Sequence, residues 1–280
     1  MKLTDEQKIL YGLIPQSVQA KKSFSQNWLV NSSAQIKITD EVKKLLTIYP
    51  ERKLVEIGPG QGHLTKHLVD LEKDLTLIEL DQESIEYLNL QSWLRESSAK
   101  LVQADALELI KNESQIFENC IFYSSLPYST GSRMMVELGQ NFPDTPFCVI
   151  LQREVAQKTQ LKKGKLTFFG AYLNLFWDFK IAFNLSKGNF NPAPKVTSSV
   201  LIGKPKTSLV DAPEKILRKY LHGLLADSKK TLVNNLKKMN FTKDEIEQFL
   251  TSNNLDVTTR LTADNYIPIL QKLIQLKPNL

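Results

Sequence analysis

The feature that most constrains the fold is a short apolar run that ends in three closely spaced glycines, KLVEIGPGQG at residues 53–62. Its apolar half is typical of a buried parallel strand. Gly58, Gly60 and Gly62 permit positive φ and let the backbone approach a ligand closely. The next residues, HLTKHLVDL at 63–71, repeat leucine at helical spacing and predict a helix whose first amides point at that ligand. This strand, turn and helix predict a binding site for a nucleoside compound.

The next predicted strand supplies an acid where a ribose would lie. LTLIELD, residues 75–81, is a second buried-strand run, and it contains Glu79 about twenty residues after Gly58. A carboxylate there can accept both ribose hydroxyl protons. The glycines follow GxGxG rather than the GxGxxG of dinucleotide sites, which favours a cofactor without a pyrophosphate.

A third run, AKLVQADALEL at residues 99–109, ends its strand at Asp105. This carboxylate can accept a hydrogen bond from an adenine amine, although a helix cap is an equally good interpretation of Asp105 alone. Alternating strands and helices of this length predict an α/β fold with a doubly wound parallel sheet, in which ligands gather at the carboxyl ends of the strands. The glycine turn, Glu79 and Asp105, in this order, suggest S-adenosylmethionine.

Length and charge predict two domains and an anionic partner. The 280 residues carry a net charge of +6, and residues 204–280 hold 13 basic and 8 acidic side chains, so a net +5 lies in the last quarter. This asymmetry indicates a polyanion, although a solubilising surface explains the charge alone equally well. We predict an N-terminal arm at 1–22, a ligand-binding domain at 23–203 and a helical domain at 204–280.

The two cysteines and the N-terminal sequence predict the compartment. Cys120 and Cys148 lie in apolar runs that are typical of buried, reduced thiols, which indicates a cytoplasmic protein. The sequence has no metal-ligand spacing, so no metal is expected. It begins with neither a secretory signal nor a membrane span, and we expect a monomer that does not bind membranes.

An aromatic and amide-rich segment precedes the first clear helix. It reads KKSFSQNWLVN at residues 21–31 and is interpreted as a lid over the site. A plain arm that packs its aromatic rings is the alternative. Ser32 or Ser33 is expected to cap the helix that follows.

The fourth strand run, NCIFYSSLPYSTGSRMMVEL at residues 119–138, carries the predicted chemistry. Pro127 has no N–H and keeps Leu126 extended, so the Leu126 carbonyl is left as an acceptor outside the ladder. Acceptors on the protons of an adenine amine favour the pyramidal nitrogen that attacks a sulfonium methyl. Tyr128 can stack on the base, a contact worth roughly 1–3 kcal/mol. A plain strand-to-helix turn is the alternative.

Seven segments together carry a family resemblance: in chain order they are SFSQNWLVN, VEIGPGQGHLT, IELD, QADAL, SLPYSTGSRMM, LQREV and FNPAPKVTSSV. They fall within residues 23–240 and are specific in combination. The chain resembles the ribosomal RNA adenine dimethyltransferases, a group that includes the small-subunit dimethyladenosine transferases and the erythromycin-resistance methyltransferases. The resemblance implies a Rossmann-like class I methyltransferase sheet in residues 23–203 and a small all-helical RNA-binding domain in residues 204–280.

The resemblance also implies roles for single residues. Gly58 is expected at the methionine part of the cofactor, Glu79 at its ribose and Asp105 at its adenine. The full set of expected cofactor contacts is Asn27, Leu29, Gly58, Gly60, Glu79, Asp105 and Ser125. The target base is expected in a pocket made by Ser125, Leu126, Tyr128 and Phe190, where the rings of Tyr128 and Phe190 form the two faces of a sandwich.

Two residues depart from the family's usual pattern. The family normally has Asn immediately before LPY, where this chain has Ser125, and it usually has Gly in the lid where this chain has Ser25. A serine hydroxyl is shorter than a carboxamide and offers no carbonyl. Methyl transfer is therefore expected to be slowed rather than abolished.

The resemblance implies an enzyme that uses S-adenosylmethionine to dimethylate the exocyclic amine of two adjacent adenosines near the 3′ end of 16S rRNA, within a small-subunit precursor. Lys229, Lys230 and Lys237, near the motif KKTLVNNL of the small-subunit enzymes, are expected to bind RNA phosphates. One alternative is a large-subunit enzyme of the erythromycin-resistance type. Another is a non-catalytic RNA-binding or transcription factor, for which Ser125 is the best argument. A nicotinamide dehydrogenase is disfavoured by the glycine pattern.

Overall fold

The structure is a computed structural model that describes most of the chain. The described residues are 20–21, 26–71, 74–112, 115–161, 166–207, 210, 212–227 and 229–278. Most of the expected N-terminal arm, and Ser25 of the expected lid, lie outside them. The chain forms two compact units, one comprising the chain up to Ala156 with Phe179–Pro205, the other comprising Gln157–Asp178 and the chain from Lys206 onward.

The first unit is built around a mixed sheet. The strands are β1 (Trp28–Leu29), β2 (Lys53–Ile57), β3 (Leu75–Glu79), β4 (Lys100–Gln103), β5 (Cys120–Ser125), β6 (Phe147–Gln152), β7 (Trp177–Leu185), β8 (Phe190–Asn191) and β9 (Ser198–Pro205). The α-helices of the two units together, numbered in chain order, are α1 (Ser32–Ile48), α2 (Gln82–Leu90), α3 (Ser92–Arg95), α4 (Ala106–Lys111), α5 (Gly131–Asn141), α6 (Arg153–Lys158), α7 (Phe168–Leu173), α8 (Glu214–Leu225), α9 (Leu232–Lys238), α10 (Lys243–Ser252) and α11 (Tyr266–Leu276).

Seven strands form the main sheet in the order β4-β3-β2-β5-β6-β9-β7. The pairs from β4 to β6 are parallel, and β9 runs antiparallel to β6. Strand β3 is buried at all five of its residues and β5 at five of six, as expected for strands covered on both faces. The predicted doubly wound fold is therefore confirmed, and the antiparallel β9 near one edge is an addition to the expected parallel sheet. Because the order reverses beside β2, the carboxyl ends of β2 and its neighbours border a crevice.

Two local predictions about the first helices are wrong. Residues 63–71 do not form an α-helix but a series of turns around one 3₁₀ helix, Thr65–His67. The Thr65 hydroxyl donates to the buried carboxylate of Glu56 at 2.6 Å, so a side-chain bond to β2 holds this segment in place of a continuous helical ladder. Helix α1 is capped by Asn31, whose side chain accepts from the Ala34 amide at 2.9 Å, and not by Ser32 or Ser33.

The second unit consists of α7 to α11 and includes residues 157–178, which the sequence analysis assigned to the first domain. Aromatic packing explains the difference. Phe168 stacks on His222 with ring centroids 3.9 Å apart, and the Tyr266 hydroxyl donates to the carbonyl of Ala171 at 3.1 Å. The Tyr220 hydroxyl, also buried, donates to the Lys277 carbonyl at 2.6 Å. The helix α7 therefore belongs to the same packed group as the C-terminal helices.

Gly62→Ala is expected to destabilise the protein by about 2–4 kcal/mol. Gly62 has φ +74°, and an added Cβ would lie 2.6 Å from Cη2 of Trp93. The substitution therefore combines backbone strain with a collision against a large ring. Urea denaturation measures the loss, and Gly188→Ala is the matched control, because an added Cβ there has no neighbour within 4 Å. Equal stabilities of the two variants would contradict the turn geometry.

Candidate active site

A cavity of ≈ 220 Å³ lies at the carboxyl ends of the central parallel strands of the first unit. It is lined by the lid segment, by the turns after β2 and β3, and by the segments that follow β4 and β5. The lining residues are Gln26, Asn27, Trp28, Leu29, Glu56, Ile57, Gly58, Pro59, Gly60, His63, Leu64, Ile78, Glu79, Leu80, Ala104, Asp105, Ala106, Leu107, Ser125, Leu126, Pro127, Tyr128, Ser129, Thr130 and Met134. Four successive neighbours in the sheet thus contribute to one cavity.

The glycine turn after β2 allows a close approach to this cavity. Gly58 and Gly60 both have positive φ, +65° and +55°, which other residues adopt only with strain. An added Cβ on Gly60 would lie 3.0 Å from Nε1 of Trp28, so the indole covers the place where a side chain would stand. The turn therefore presents bare backbone at Gly58, where an added Cβ would meet nothing within 4 Å, whereas Gly60 lies against Trp28.

Glu79, at the end of β3, is held by three backbone N–H groups. Its Oε1 accepts from Leu80 at 2.8 Å and from Asp81 at 2.9 Å, and its Oε2 accepts from Gly60 at 3.0 Å. Burial raises the pKa of Glu79 above its ordinary value, and these three donors oppose that rise. A carboxylate has about four acceptor positions. The three bonds therefore use most of these positions and fix the carboxylate in direction.

Asp105 is a helix cap, one of the two interpretations of its sequence position, and it also lies at the cavity. It is the N-cap of α4, where its Oδ1 accepts from the Leu107 amide at 2.8 Å. It is also exposed and lines the cavity beside Ala104 and Ala106. The cap uses Oδ1 of this carboxylate.

The lid residues Asn27 and Leu29 also line the cavity. The lid is held by pairing of β1 with β8, which places Leu29 opposite Phe190, and by a bond from the Val30 amide to the Asn189 carbonyl at 2.9 Å. The segment around FNPAPKV is therefore the support of the lid, a relation that neither segment indicates by itself.

The end of β5 brings three of the four predicted target-pocket residues to the cavity. Ser125, Leu126 and Tyr128 all line it. The Leu126 amide donates to the Ile150 carbonyl at 3.2 Å, and the ladder stops at Pro127, which has no N–H. The Tyr128 hydroxyl shares a hydrogen bond with the hydroxyl of Ser198, and burial raises the pKa of Tyr128, so it stays protonated at neutral pH.

The structure does not bring the fourth residue, Phe190, to the cavity. Its side chain is only 4% exposed and packs in the hydrophobic core that includes Leu29 and Leu185. The pairing of β8 with β1 turns this ring into the core of the first unit. The expected sandwich with Tyr128 is therefore corrected: of the two rings expected to form it, Tyr128 lines the cavity and Phe190 does not.

A buried carboxyl network lies beneath the cavity and was not predicted from the sequence. Oε2 of Glu56 accepts from the hydroxyls of Thr65, at 2.6 Å, and Tyr123, at 2.8 Å. The signal was present, since an acid in the middle of the apolar run of β2 needs buried partners. Glu56 is 2% exposed, and this burial raises its pKa to about 7.

The raised pKa of Glu56 predicts that stability falls as pH rises. Between its ordinary pKa of 4.5 and about 7 the folded chain keeps a proton that the unfolded chain has lost, so each step up in pH favours unfolding. The full loss, reached above about pH 7, is about 3 kcal/mol. Glu56→Gln is expected to remove this part of the pH dependence and to be more stable than the wild type at about pH 8.

Urea denaturation at about pH 5 and about pH 8 measures this difference, because other titrating groups such as His63 affect both proteins equally. The exposed Glu118→Gln is the control and should follow the wild type. If the free energy of unfolding changes equally between the two pH values for Glu56→Gln and for the wild type, the result would contradict a buried, protonated Glu56.

The three lysines predicted to bind RNA lie in the second unit and are exposed. Lys229 and Lys230 precede α9, where Lys230 lies 3.7 Å from Asp227, and Lys237 is in its last turn. Within the described ranges, no three His, Cys, Asp or Glu side chains come together as a metal site would require. No helix in the described part of the chain combines the length and apolar character needed to cross a bilayer.

Known proteins similar to this chain share one activity in their names. A family model described as ribosomal RNA adenine dimethylase matches residues 17–275. The ribosomal RNA small subunit methyltransferase A of Malacoplasma penetrans is 28% identical over 258 residues, which cover 91% of this chain and 92% of that protein. The protein of the same name from Bdellovibrio bacteriovorus is 32% identical over 231 residues, 76% of this chain and 81% of that one.

Two solved structures are similar along nearly their whole length. A dimethyladenosine transferase from Plasmodium falciparum has a TM-score of 0.70 and 19% identity, and the match covers 89% of this chain and 98% of that one. The 23S rRNA methyltransferase ErmE has a TM-score of 0.62 and 17% identity, with 90% and 98% covered. At these identities the likeness concerns the fold.

The strand order and the cavity at the strand ends, with an acid at the end of β3, define a Rossmann-like methyltransferase, in agreement with the two solved structures. Within that class the match over residues 17–275 is decisive. The chain belongs to the ribosomal RNA adenine dimethylase family. The predicted fold class, the predicted family and the prediction of a methyltransferase enzyme are confirmed.

Proposed function

We propose that this chain uses S-adenosylmethionine to dimethylate the exocyclic amine of two adjacent adenosines near the 3′ end of small-subunit ribosomal RNA. The observation that carries the proposal is one cavity in which Glu79, Asp105 and the Ser125–Tyr128 turn lie together. The small-subunit substrate is supported by the names of the relatives from Malacoplasma penetrans and Bdellovibrio bacteriovorus. The proposal includes a small-subunit precursor as substrate and a monomer acting in the cytoplasm.

The residues of the cavity suit this cofactor. Glu79 has one acceptor position for a ribose hydroxyl, and Oδ2 of Asp105 accepts from the adenine amine. Gly58 has no side chain and no neighbour within 4 Å of its Cβ position, which leaves bare backbone where the methionine part approaches. Asn27 and Leu29 close the cavity from the lid side.

The end of β5 prepares the base for reaction. When bound, S-adenosylmethionine supplies an electrophilic methyl group on a sulfonium. The Leu126 carbonyl and the Ser125 hydroxyl accept the protons of the amine and favour its pyramidal form, while Tyr128 stacks on the base, its ring held by Ser198. The chain thus contributes position and acceptors, and no covalent intermediate with the protein is needed. A base flipped out of its stack costs a few kcal/mol, which the stacking on Tyr128 offsets in part.

RNA phosphates are the proposed ligands of the exposed lysines Lys229, Lys230 and Lys237. They lie around the start and end of α9, which is short and otherwise packed by buried Leu232 and Leu236. Contacts with phosphates raise the affinity for RNA but do not depend on the RNA sequence. Recognition of the target adenosines therefore depends on the base pocket at the end of β5.

Ser125 favours one second candidate, a non-catalytic RNA-binding factor that keeps the fold. Its hydroxyl offers a weaker acceptor set than the Asn that the family usually has there. Ser125→Asn is expected to raise the rate of methyl transfer by about fivefold, the value of about one additional hydrogen bond. A wild type at background with an active Ser125→Asn would instead show that this chain has lost the reaction.

Transfer of tritiated methyl groups to undermethylated ribosomal subunits tests the proposal. The wild type is expected to label small subunits and to leave large subunits at the level of Glu79→Ala, the cofactor-binding control. Label confined to large subunits would support an enzyme of the erythromycin-resistance type, and no label with any variant would overturn the catalytic proposal.

A further inference from the structure

A buried acid, Asp81, lies at the start of α2 and does not cap that helix. It occupies the N-cap position, where an aspartate usually accepts a hydrogen bond from an amide of the first turn, but its side chain makes no such bond. The residue is only 3% exposed, and a buried carboxylate needs hydrogen-bond partners. The partners of this carboxylate therefore come from side chains, and two of them belong to the lid segment.

The lid segment donates to both oxygens of Asp81. Nζ of Lys21 donates to Oδ1 at 2.6 Å, and Nε2 of Gln26 donates to Oδ2 at 3.3 Å. The hydroxyl of Ser84, on α2, donates to the same Oδ2 at 3.0 Å. The backbone amide of Lys21 donates in turn to Oε1 of Gln26 at 2.8 Å. Lys21, Gln26 and Asp81 therefore form a closed cycle of hydrogen bonds.

The carboxyl group of Asp81 is ionised in this cycle. Burial alone would raise its pKa, but the bonds from Lys21, Ser84 and Gln26 more than offset this effect and hold the pKa of the carboxyl below its ordinary value. Lys21 also lies 3.0 Å from Glu83, whose side chain is 58% exposed. An ion pair with an exposed group contributes little, whereas a buried charge that loses its partner is left unsatisfied. The bond to Asp81 is therefore the stronger constraint on Lys21.

Asp81 connects the lid segment to the acid at the end of β3. Its backbone amide donates to Oε1 of Glu79 at 2.9 Å, while its side chain accepts from Lys21 and Gln26. Glu79 and Gln26 both line the cavity, and Asp81 lies behind them. One residue therefore fixes two parts of the cavity wall that are far apart in the chain.

We propose that Lys21, Gln26 and Asp81 form a latch that holds the lid segment over the bound cofactor, with Lys21 and Asp81 as positioning residues that do not touch the cofactor themselves. This inference rests on the proposed cofactor. A cofactor enclosed by the lid segment leaves only after that segment moves, so the latch lowers the rate of cofactor dissociation.

Calorimetric titration and stopped-flow dissociation of S-adenosylhomocysteine test the latch. We expect Lys21→Met to weaken binding by about tenfold, mainly through faster dissociation, because Asp81 loses its charged partner. Lys21→Arg keeps a cationic donor and is expected to bind within about threefold of the wild type. Asp81→Asn is expected to cause a loss similar to that of Lys21→Met. Because both changes break the same pair, the double variant should bind no more weakly than the weaker single variant.

Lys44→Met is the matched control, since it removes a lysine from the ion pair with Glu41 on α1, and neither residue lines the cavity. Melting temperatures establish that each variant is folded, and the partly exposed Lys21 keeps the test decisive if Asp81→Asn does not fold. Four results would each overturn the latch and leave the proposed function standing: an unchanged affinity of Lys21→Met, an equal loss with Lys44→Met, additive losses in the double variant, or no recovery with Lys21→Arg. A wild type that does not bind S-adenosylhomocysteine would overturn the proposed cofactor, and the latch with it.

Discussion

Replacing Glu79 with alanine is expected to weaken binding of S-adenosylhomocysteine by about a hundredfold. The change removes the proposed acceptor for the ribose and also leaves the amides of Gly60, Leu80 and Asp81 without their partner. The bonds from those amides to Glu79 fix the glycine turn and the end of β3. The substitution is therefore expected to change the shape of the cavity as well as to remove the proposed contact with the ribose. Glu79→Gln keeps one carbonyl oxygen but places an NH₂ group against backbone donors, and we expect it to bind nearly as weakly.

Isothermal titration of the folded variants measures this loss, with circular dichroism melts as the check on folding. Glu86→Gln is the matched control, because Glu86 is exposed on α2 and bonds only to Gln82 among the contacts described. An affinity of Glu79→Ala within about threefold of the wild type would mean that the end of β3 does not bind the ribose.

The second large effect is expected at Tyr128. Tyr128→Ala removes the ring on which we propose that the base stacks, a contact worth roughly 1–3 kcal/mol, and it would also free the base to leave the line of attack. Methyl transfer is therefore expected to fall by about a hundredfold, while the affinity for S-adenosylhomocysteine changes by less than about threefold. This separates a residue that acts on the base from one that acts on the cofactor.

The hydrogen bond between the hydroxyls of Tyr128 and Ser198 allows the effect of the Tyr128 hydroxyl to be separated from that of its ring. Tyr128→Phe keeps the ring, and we expect its rate of methyl transfer to fall by less than about tenfold. Ser198→Ala is expected to lower the rate by a similar factor. Because both changes remove the same bond, the double variant should be no slower than either single one. Single-turnover rates with small subunits provide the measurement. Full activity of Tyr128→Ala would contradict a stacking role, and additive losses would contradict the shared bond.

The parts of the site that the sequence predicted depend on local patterns. The apolar run before Gly58, the acid at Glu79 and the proline after Leu126 each determine where a strand ends, because strand burial and turn chemistry are encoded in neighbouring residues. Once strands alternate with helices, the parallel sheet brings those ends together. The positions of Asp105 and Ser125 in the cavity follow from the same rule.

The parts that the sequence did not predict depend on tertiary contacts. The turns at residues 63–71 replace a helix because Thr65 bonds to the buried Glu56, a partner on β2. Phe190 enters the core because β8 pairs with β1, and two strands of two residues each have no periodicity to read. Such contacts between segments that are distant in the chain determine the direction of a side chain. The residues next to that side chain in the sequence give no sign of them.

The most direct test of the account is the chemical identity of the methylated product. Small subunits from a strain without this methylation are incubated with the protein and S-adenosylmethionine, and their RNA is digested and analysed by mass spectrometry. The account predicts N6,N6-dimethyladenosine at two adjacent positions near the 3′ end of the small-subunit RNA, and its absence with Glu79→Ala. Methyl groups on another base, or on a ribose, would contradict it.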